Sequence, residues 1–597
     1  MIKLSDFIAK YLSEKYNVTN FFMVSGGGAM HLNDSLGHGI KSYIANHHEQ
    51  ACAIAAEGYA RVYQELAVVN VTTGPGGLNC LNGVFGQWTD SVPVLYISGQ
   101  VKYTTTMDSC KDLPLRQLGD QEVDIISVVK PLTKYAETVF EPNEIKYHID
   151  RAVYEATTGR KGPVWLNIPM NVQGALIDEK ALKEFSPSEQ KPKSLISMGG
   201  KIDEIFAKLK TAKRPLIIAG HGIRLAKCEN LLEKLLEKIN VPVVTTFNGF
   251  DLIDDENEHY VGRIGTIGQR AGNFALQNAD FILCLGTRNN IRQVSYNWEN
   301  FAKKAFKIVV DIDKAELEKP LVKPDMAINA DLADLIPQII DGTDSVSASD
   351  EWFEYCNGLK KKYSFENEDF YRQKENEPIN PYYFVRKLTE NTKENDIFVM
   401  ANGSACVCTF QVGKIKKNQR YILNSGNASM GFDLPAAIGA NLAGKGRRTI
   451  CLAGDGSVMM NLQELETIAF NKLPIKIFII NNAGYSSIRQ TQRNFFNGRM
   501  TGSGDDSGVG MPDFSKVAAA FGLKTVKIEN ADNLDEKIQN VLNTDGAIVC
   551  EVMVQKEYSF IPKLSSRKLE DGTMISPSLE DMFPFVDREE YKQNMLD

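Results

Sequence analysis

No run of about 18 apolar residues occurs in the 597-residue chain, so no segment reads as a membrane span. Long runs of lysine or arginine are missing too, and the net charge is -8. A nucleic-acid or membrane-surface partner is therefore not expected. The 10 cysteines are scattered, and the close pair Cys406 and Cys408 lacks the spacing of a CxxC redox or zinc motif. Reduced thiols in a cytoplasmic protein are expected. The GxxxxGK[ST] phosphate loop is absent. The opening stretch MIKLSDFIAKYL carries Lys3, Asp6 and Lys10 and reads as an amphipathic helix, without the unbroken apolar core of a signal peptide.

What is present is an ordinary globular composition, 43% hydrophobic and 24% charged. The length exceeds one hydrophobic core, so about three or four domains of ~150 residues are expected. A first block covers 1–175, where strands such as LAVVNVT (66–72) and PVLYIS (93–98) alternate with helix-like stretches. SPSEQKPKS reads as linker within a softer segment near 176–198. A second block, 199–340, has strands at PLIIAG (215–220), PVVTT (242–246), FILCLG (281–286) and KIVVDID (307–313). DGTDSVSASDEW marks the next boundary, and a charged helical connector follows. The third block, 379–556, has strands at TICLAGD (449–455), IKIFIIN (475–481) and AIVCEVMV (547–554). Residues 557–597 have no strong period and read as a lid or an interface strap.

Alternating strands and helices predict an α/β fold of three doubly wound parallel-sheet domains, with ligands at the carboxyl ends of the strands. LAVVNVTTGPGGLNCLNGVFGQWTDSVPVLYIS and TICLAGDGSVMMNLQELETIAFNKLPIKIFIIN share one plan: strand, glycine turn, helix, proline-containing loop, strand. The first and third blocks are therefore expected to share a fold.

The second of these stretches extends to a pair of asparagines, Asn481 and Asn482. Read as strand–helix–strand, it puts Asp455 at the end of one strand and Asn482 at the end of the next. A right-handed crossover brings both to one edge of the sheet. Gly454 and Gly456 allow close backbone approach, and the helix after them offers free N–H groups. A carboxylate, an amide oxygen and a backbone carbonyl make a hard-oxygen shell that suits Mg²⁺ shared with phosphate oxygens. A GDG tripeptide alone is also an ordinary strand-to-helix turn; the paired asparagines raise it above that.

GDG followed after a helix and a strand by NN is similar to the metal motif of thiamin-diphosphate-dependent enzymes. The resemblance implies Asp455 and Asn482 as side-chain Mg²⁺ ligands and the Gly484 carbonyl, in NNAGY, as the third. It implies cofactor contacts at Gly454, Gly456, Ser457 and Tyr485 around that motif. HHEQACAIAAEGYAR places Glu49 where the family has the glutamate beside the aminopyrimidine ring, in a context that resembles acetolactate synthases. FFMVSGGGAM and TTGPGGLN, with Gly27 and Gly76, resemble that family's glycine turns around the cofactor. SMGFDLPAAIGA resembles the turn and helix ahead of the metal motif, with Met430 as the apolar wedge under the cofactor and the Ala428 carbonyl as acceptor for its amino group. Gly403 and Ser404, in NGSAC, are implied to hold the diphosphate. The three blocks then correspond to pyrimidine-binding, central and diphosphate-binding domains.

The implied activity is decarboxylation of a 2-keto acid and transfer of the acyl carbanion to a carbonyl acceptor. A plain 2-keto acid decarboxylase, or a hydrolase of a C–C bond, is the alternative. The resemblance also implies a homodimer or homotetramer, with Glu49 of one subunit facing the metal motif of another. Departures cluster around the acceptor. In GDQEVDI, Gln121 and Glu122 are kept, but Asp120 stands where the synthases have phenylalanine. Met170 stands for their lysine and Thr491 for their tryptophan. Loss of those groups suits a larger or more polar acceptor such as a keto-sugar. His31, beside the SGGGAM loop, is either a proton donor or a hydrogen-bonded loop residue. AGHGIRLA and LGTRNNIRQ in the middle block leave FAD open, with Arg224, Arg263 and Arg288 as its candidate contacts.

Overall fold

The computed structural model describes residues 1–189, 200–342, 345–568, 571 and 573–596. Residues 190–194 of SPSEQKPKS, and Thr343 and Asp344 of DGTDSVSASDEW, lie outside the described residues. Three six-stranded sheets carry the fold, and neighbouring strands in them run parallel. Each sheet has helices on both faces, so its central strands are buried along their length and largely apolar rather than alternating.

The N-terminal sheet is built from β1 (Asn20–Met23), β2 (Ser42–Ala45), β3 (Ala67–Val71), β4 (Val94–Gln100), β5 (Tyr135–Thr138) and β6 (Val164–Pro169), in the order β2-β1-β3-β4-β6-β5. The middle sheet is built from β7 (Pro215–Ala219), β8 (Val243–Thr245), β9 (Tyr260–Arg263), β10 (Phe281–Leu285), β11 (Phe306–Asp311) and β12 (Met326–Asn329), in the order β9-β8-β7-β10-β11-β12. The C-terminal sheet is built from β13 (Ile397–Met400), β14 (Arg420–Ile422), β15 (Thr449–Gly454), β16 (Ile475–Asn481), β17 (Lys524–Ile528) and β18 (Ile548–Met553), in the order β14-β13-β15-β16-β18-β17. The outer two sheets thus have the same order, and the middle one has the order of dinucleotide-binding folds.

The outer domains share one apolar core, which the helices Glu49–Tyr63 and Asp433–Ala443 join. Small residues let their backbones touch. A Cβ on Gly58 would sit 2.2 Å from the Ala436 carbonyl oxygen, and one on Gly439 would sit 1.8 Å from that of Ala55. The middle domain is tied to both neighbours by charged side chains. The wholly buried Arg263 donates to the carbonyls of Phe410 (2.8 Å) and Gly413 (2.6 Å), and Arg160 of the N-terminal domain pairs with Asp313 (3.0 Å) and Glu316 (2.7 Å). After β18 the tail returns over the middle domain. Asn273 Nδ2 donates to the Leu579 carbonyl (2.9 Å), Arg270 Nη1 to that of Met582 (3.0 Å), and Asn278 Nδ2 to that of Asn594 (2.9 Å). Among the described residues no helix is long and apolar enough to cross a membrane.

Candidate functional site

Strands β15 and β16 pair in register up to Gly454 and Ile480, so the residues after them emerge side by side. Asp455 is buried there. Its Oδ1 accepts from the Gly456 N–H (2.7 Å), and its Oδ2 accepts from the N–H groups of Asn482 (3.0 Å) and Gly484 (2.9 Å). Burial pushes the carboxyl up to about 6, against the pull of those three donors. A desolvated carboxylate short of positive charge fits a cation. Arg489 braces the other side, donating to the Asn482 carbonyl (2.9 Å), the Asn482 Oδ1 (3.2 Å) and the Ala483 carbonyl (3.1 Å). Gly484 has φ +132°, and a Cβ there would meet the Ser503 carbonyl oxygen at 2.4 Å, so only glycine fits. Among the described residues no cluster of three His, Cys, Asp or Glu side chains forms a metal site; the group here is carboxylate, amide and carbonyl.

Two helices begin at this edge. Ser404 opens Ser404–Val412 after Gly403, whose φ is +77°, and Ser486 opens Ser486–Phe496 after Tyr485. Neither has a side-chain cap, so both N-termini keep free N–H groups and the positive end of their dipoles. The two serine hydroxyls are 3.3 Å apart. This pair of open helix ends beside a buried carboxylate fits a diphosphate carrying a divalent cation. Tyr485 lays its ring across Gly456, 2.2 Å from where a Cβ would be. Gly454 has open space around it.

The turn before the metal motif is held by polar side chains. Ala428 has φ +56° and donates its N–H to the Asn424 carbonyl (2.7 Å); Asn402 Nδ2 holds the Ser429 carbonyl (2.7 Å). Met430 follows, half-buried. The Ser457 side chain is committed to this turn rather than to a cofactor. Its hydroxyl donates to Asp433 Oδ2 (2.5 Å) and accepts from the Gly431 N–H (2.9 Å). The hydroxyl therefore has no proton left to donate to a ligand.

Glu49 is the first residue of its helix, with the His48 imidazole as cap, accepting from the Gln50 N–H (3.1 Å). Its Oε2 accepts from Asn79 Nδ2 (2.9 Å). Glu464, wholly buried in the C-terminal domain, fixes the approach by accepting from Asn46 Nδ2 (2.8 Å) and the His47 N–H (3.0 Å). Its location 415 residues after Glu49 leaves no local signal for that clamp. Gly76 faces the Glu49 carboxylate, 3.7 Å from where a Cβ would be. The buried hydroxyls of Thr72 and Thr73 in the same turn have no hydrogen-bond partner, as in a cradle made for a polar ring. Gly27 opens onto free space, whereas a Cβ on Gly28 would meet the Thr73 hydroxyl at 2.0 Å. Gln121, at φ +60°, brings its carbonyl over Gly74 and leaves its side chain exposed. Its neighbour Glu122 is buried and organises that loop, accepting from the N–H groups of Met107 (2.5 Å), Leu118 (3.1 Å) and Gly119 (3.0 Å). His31 packs against Gly174, its Nε2 3.0 Å from a Cβ built there, and no described hydrogen bond takes it to Glu49 or Gln121. Nor does any described hydrogen bond join Glu49 to Asp455, Asn482 or Gly484.

A cavity of about 650 Å³ opens at the ends of β7 and β10, the point where the strand order of the middle sheet reverses. Gly222 and Gly286 form its glycine turns, and Asp311 closes β11, its carboxyl pushed up to about 6 by burial. Arg288 lines it, together with Arg292, Lys319 and, from the N-terminal domain, Arg160 and Lys161. The other two arginines expected here are elsewhere. Arg224 pairs with Glu229 (2.9 Å) and Asp251 (3.3 Å) outside the cavity lining, and Arg263 is the buried tie to the C-terminal domain. Both were ambiguous in sequence because an arginine carries no period that separates a ligand contact from an ion pair.

Three family models match the chain in order: the N-terminal TPP binding domain of thiamine pyrophosphate enzymes over residues 2–128, their central domain over 202–339, and their C-terminal TPP binding domain over 401–552. The chain is similar to the acetolactate synthase large subunit of Lactococcus lactis, 31% identical over 92% of this chain and 92% of the relative. It is also similar to the acetolactate synthase large subunit of Cyanidium caldarium, 29% identical over 95% and 96%. Isozyme 1 of Escherichia coli is 29% identical over 94% and 95%. The chain therefore belongs to the acetolactate synthase-like thiamin-diphosphate-dependent enzymes, whose chemistry is decarboxylation with carboligation.

Proposed function

We propose that the chain decarboxylates a pyruvate-like 2-keto acid and transfers the acyl unit to a carbonyl acceptor at a site built by two subunits. The observation that carries this reading is the buried Asp455 carboxylate beside two uncapped helix ends, in the half of the molecule opposite Glu49. Asp455, Asn482 and the Gly484 carbonyl hold Mg²⁺, and Gly403, Ser404 and the helix N–H groups hold the diphosphate. When bound, thiamin diphosphate supplies the carbon nucleophile and the electron sink. Glu49 holds a proton on the pyrimidine ring nitrogen, and the glycine turns at Gly27 and Gly76 leave room for the ring and the substrate. Met430 would pack under the cofactor, and the Ala428 carbonyl would accept from its amino group. Gln121 reaches the substrate from its exposed loop position.

The two-subunit arrangement is supported by exposed apolar residues next to both half-sites. Leu78, Phe85 and Trp88 lie on the helices after the Glu49 turn, and Met459 and Met460 follow Asp455. A homodimer, or a homotetramer of two such dimers, buries them. The middle cavity, with its dinucleotide-type strand order, would take FAD, and Arg288, Arg292 and Asp311 of its lining would be the charged and polar groups that hold it. The replacements at Asp120, Met170 and Thr491 favour a keto-sugar over a second keto acid as acceptor. A cytoplasmic location is supported by all 10 cysteines being free thiols.

The test is reconstitution with thiamin diphosphate and Mg²⁺, supply of pyruvate with aldehyde, keto-acid and keto-sugar acceptors, and identification of products by NMR. Ligation to a keto-sugar is expected. Acetolactate formed at full rate from pyruvate alone, with keto-sugars inert, overturns the acceptor assignment. Acetaldehyde as sole product returns the plain decarboxylase.

A further inference from the structure

Tyr558 belongs to the tail, four residues past Val554, yet its hydroxyl reaches the centre of the helix-end cradle. It hydrogen-bonds the hydroxyls of Ser404 and Ser486 (3.1 Å for the latter) and accepts from Asn482 Nδ2 (3.2 Å). These three groups come from two segments, Ser404 from one and Asn482 and Ser486 from the other, and each belongs to the diphosphate and metal end of the site. The hydroxyl accepts from Asn482 Nδ2 and Ser486 Oγ and keeps one O–H of its own. The tail around it is pinned on both sides. The Lys556 carbonyl accepts from Arg489 Nη2 (2.9 Å), and Glu557 pairs with Arg493. Beyond it, the Ile561 N–H donates to the Tyr382 hydroxyl (3.0 Å), and Gln411 Nε2 donates to the Pro562 carbonyl (2.6 Å). A fixed backbone thus aims one phenolic donor at a place where two helix ends favour an anion.

We propose that Tyr558 is a third hydroxyl ligand of the diphosphate, beside Ser404 and Ser486, so that docking of the tail and retention of the cofactor are one equilibrium. This rests on the cofactor reading above. Arg489 links the two halves of the device, because it holds both the metal-side Asn482 and the tail carbonyl of Lys556. A cofactor that engages Tyr558 therefore holds the segment from Lys556 to Lys563 against the C-terminal domain.

The experiment titrates thiamin diphosphate at fixed Mg²⁺ into the full-length protein and into Tyr558→Phe, followed by intrinsic fluorescence or calorimetry, with Ser404→Ala as the reference loss. Tyr558→Phe is expected to raise the Kd about tenfold or more, since hydrogen bonds to charged groups are the stronger class. Saturating cofactor is expected to slow tryptic cleavage at Lys556 and Lys563 in the unsubstituted protein, with less protection in Tyr558→Phe. An unchanged Kd with Tyr558→Phe overturns the proposal. A tighter Kd overturns it in the other direction, making the hydroxyl a competitor for the phosphate position. If the unsubstituted protein binds no thiamin diphosphate, the cofactor reading falls and this proposal with it.

Discussion

The N-terminal and C-terminal domains have one strand order and opposite equipment. Both place a glycine turn after the third strand in chain order, β3 in one and β15 in the other. At the first turn the chain carries Gly76 facing Glu49, with the unpartnered hydroxyls of Thr72 and Thr73 turned toward Gly26 and Gly28, neutral groups for the proposed ring site. At the second it carries a buried carboxylate beside open helix ends, the charged equipment of the proposed metal-diphosphate site. Topology alone therefore does not say which half binds what; the residues at the strand ends do. The middle domain adds a third solution, with strand order 3-2-1-4-5-6 and a cavity at the switch point.

The comparison breaks most sharply at Asp455. Asp455→Asn is expected to abolish turnover by at least about a hundredfold and to remove Mg²⁺-dependent cofactor binding, because Mg²⁺ demands hard charged oxygens; calorimetric titration checks it. Glu49→Gln is expected to lose activity on a similar scale while thiamin diphosphate still binds, because its role is proton positioning rather than anchoring. If Glu49→Gln abolished binding and Asp455→Asn did not, the roles of the two halves would be reversed.

A smaller effect tests whether the two similar domains pack as one core. Gly439→Ala puts a methyl 1.8 Å from the Ala55 carbonyl oxygen. It is expected to cost about 1–3 kcal/mol in urea unfolding, the usual penalty for overpacking. Gly446→Ala, in open space at φ +87°, separates backbone strain from steric collision.

An effect confined to low pH is expected at the junction of the middle and C-terminal domains. Burial by itself would raise the Asp251 carboxyl, but Arg224 and Arg420 outweigh it and hold the group down at about 2, from an ordinary 3.8. A carboxylate depressed on folding contributes stability above its unfolded value and loses that contribution as pH falls. Here the loss runs from about pH 4 down through pH 2 and amounts to about 2 kcal/mol. Asp251→Asn should flatten that part of the acid-unfolding curve.

Much of this was legible in the chain because it is local. The strands are buried, largely apolar runs such as FILCL, and GDG and GPGG are strand-end turns in which Gly456 lies under the Tyr485 ring and Gly74 has φ +62°. The pairing of Asp455 with Asn482 follows from one crossover. What was not legible is long-range. Glu464 clamps the residues before Glu49 from another domain, Tyr558 enters from a tail without period, and Ser457 turns its hydroxyl to Asp433 rather than outward. Arg263 looked like a ligand contact and is a buried tie, since its partners are the carbonyls of a helix end in the next domain.

The most direct measurement is complementation between two inactive chains. Glu49→Gln and Asp455→Asn are co-expressed with different tags, and the mixed dimer is purified through both. If Glu49 of one subunit serves Asp455 of its partner, one of the two sites in the mixed dimer is intact, and about half the unsubstituted activity returns. If both residues serve the same site within one chain, every site carries a defect and the mixed dimer stays inactive.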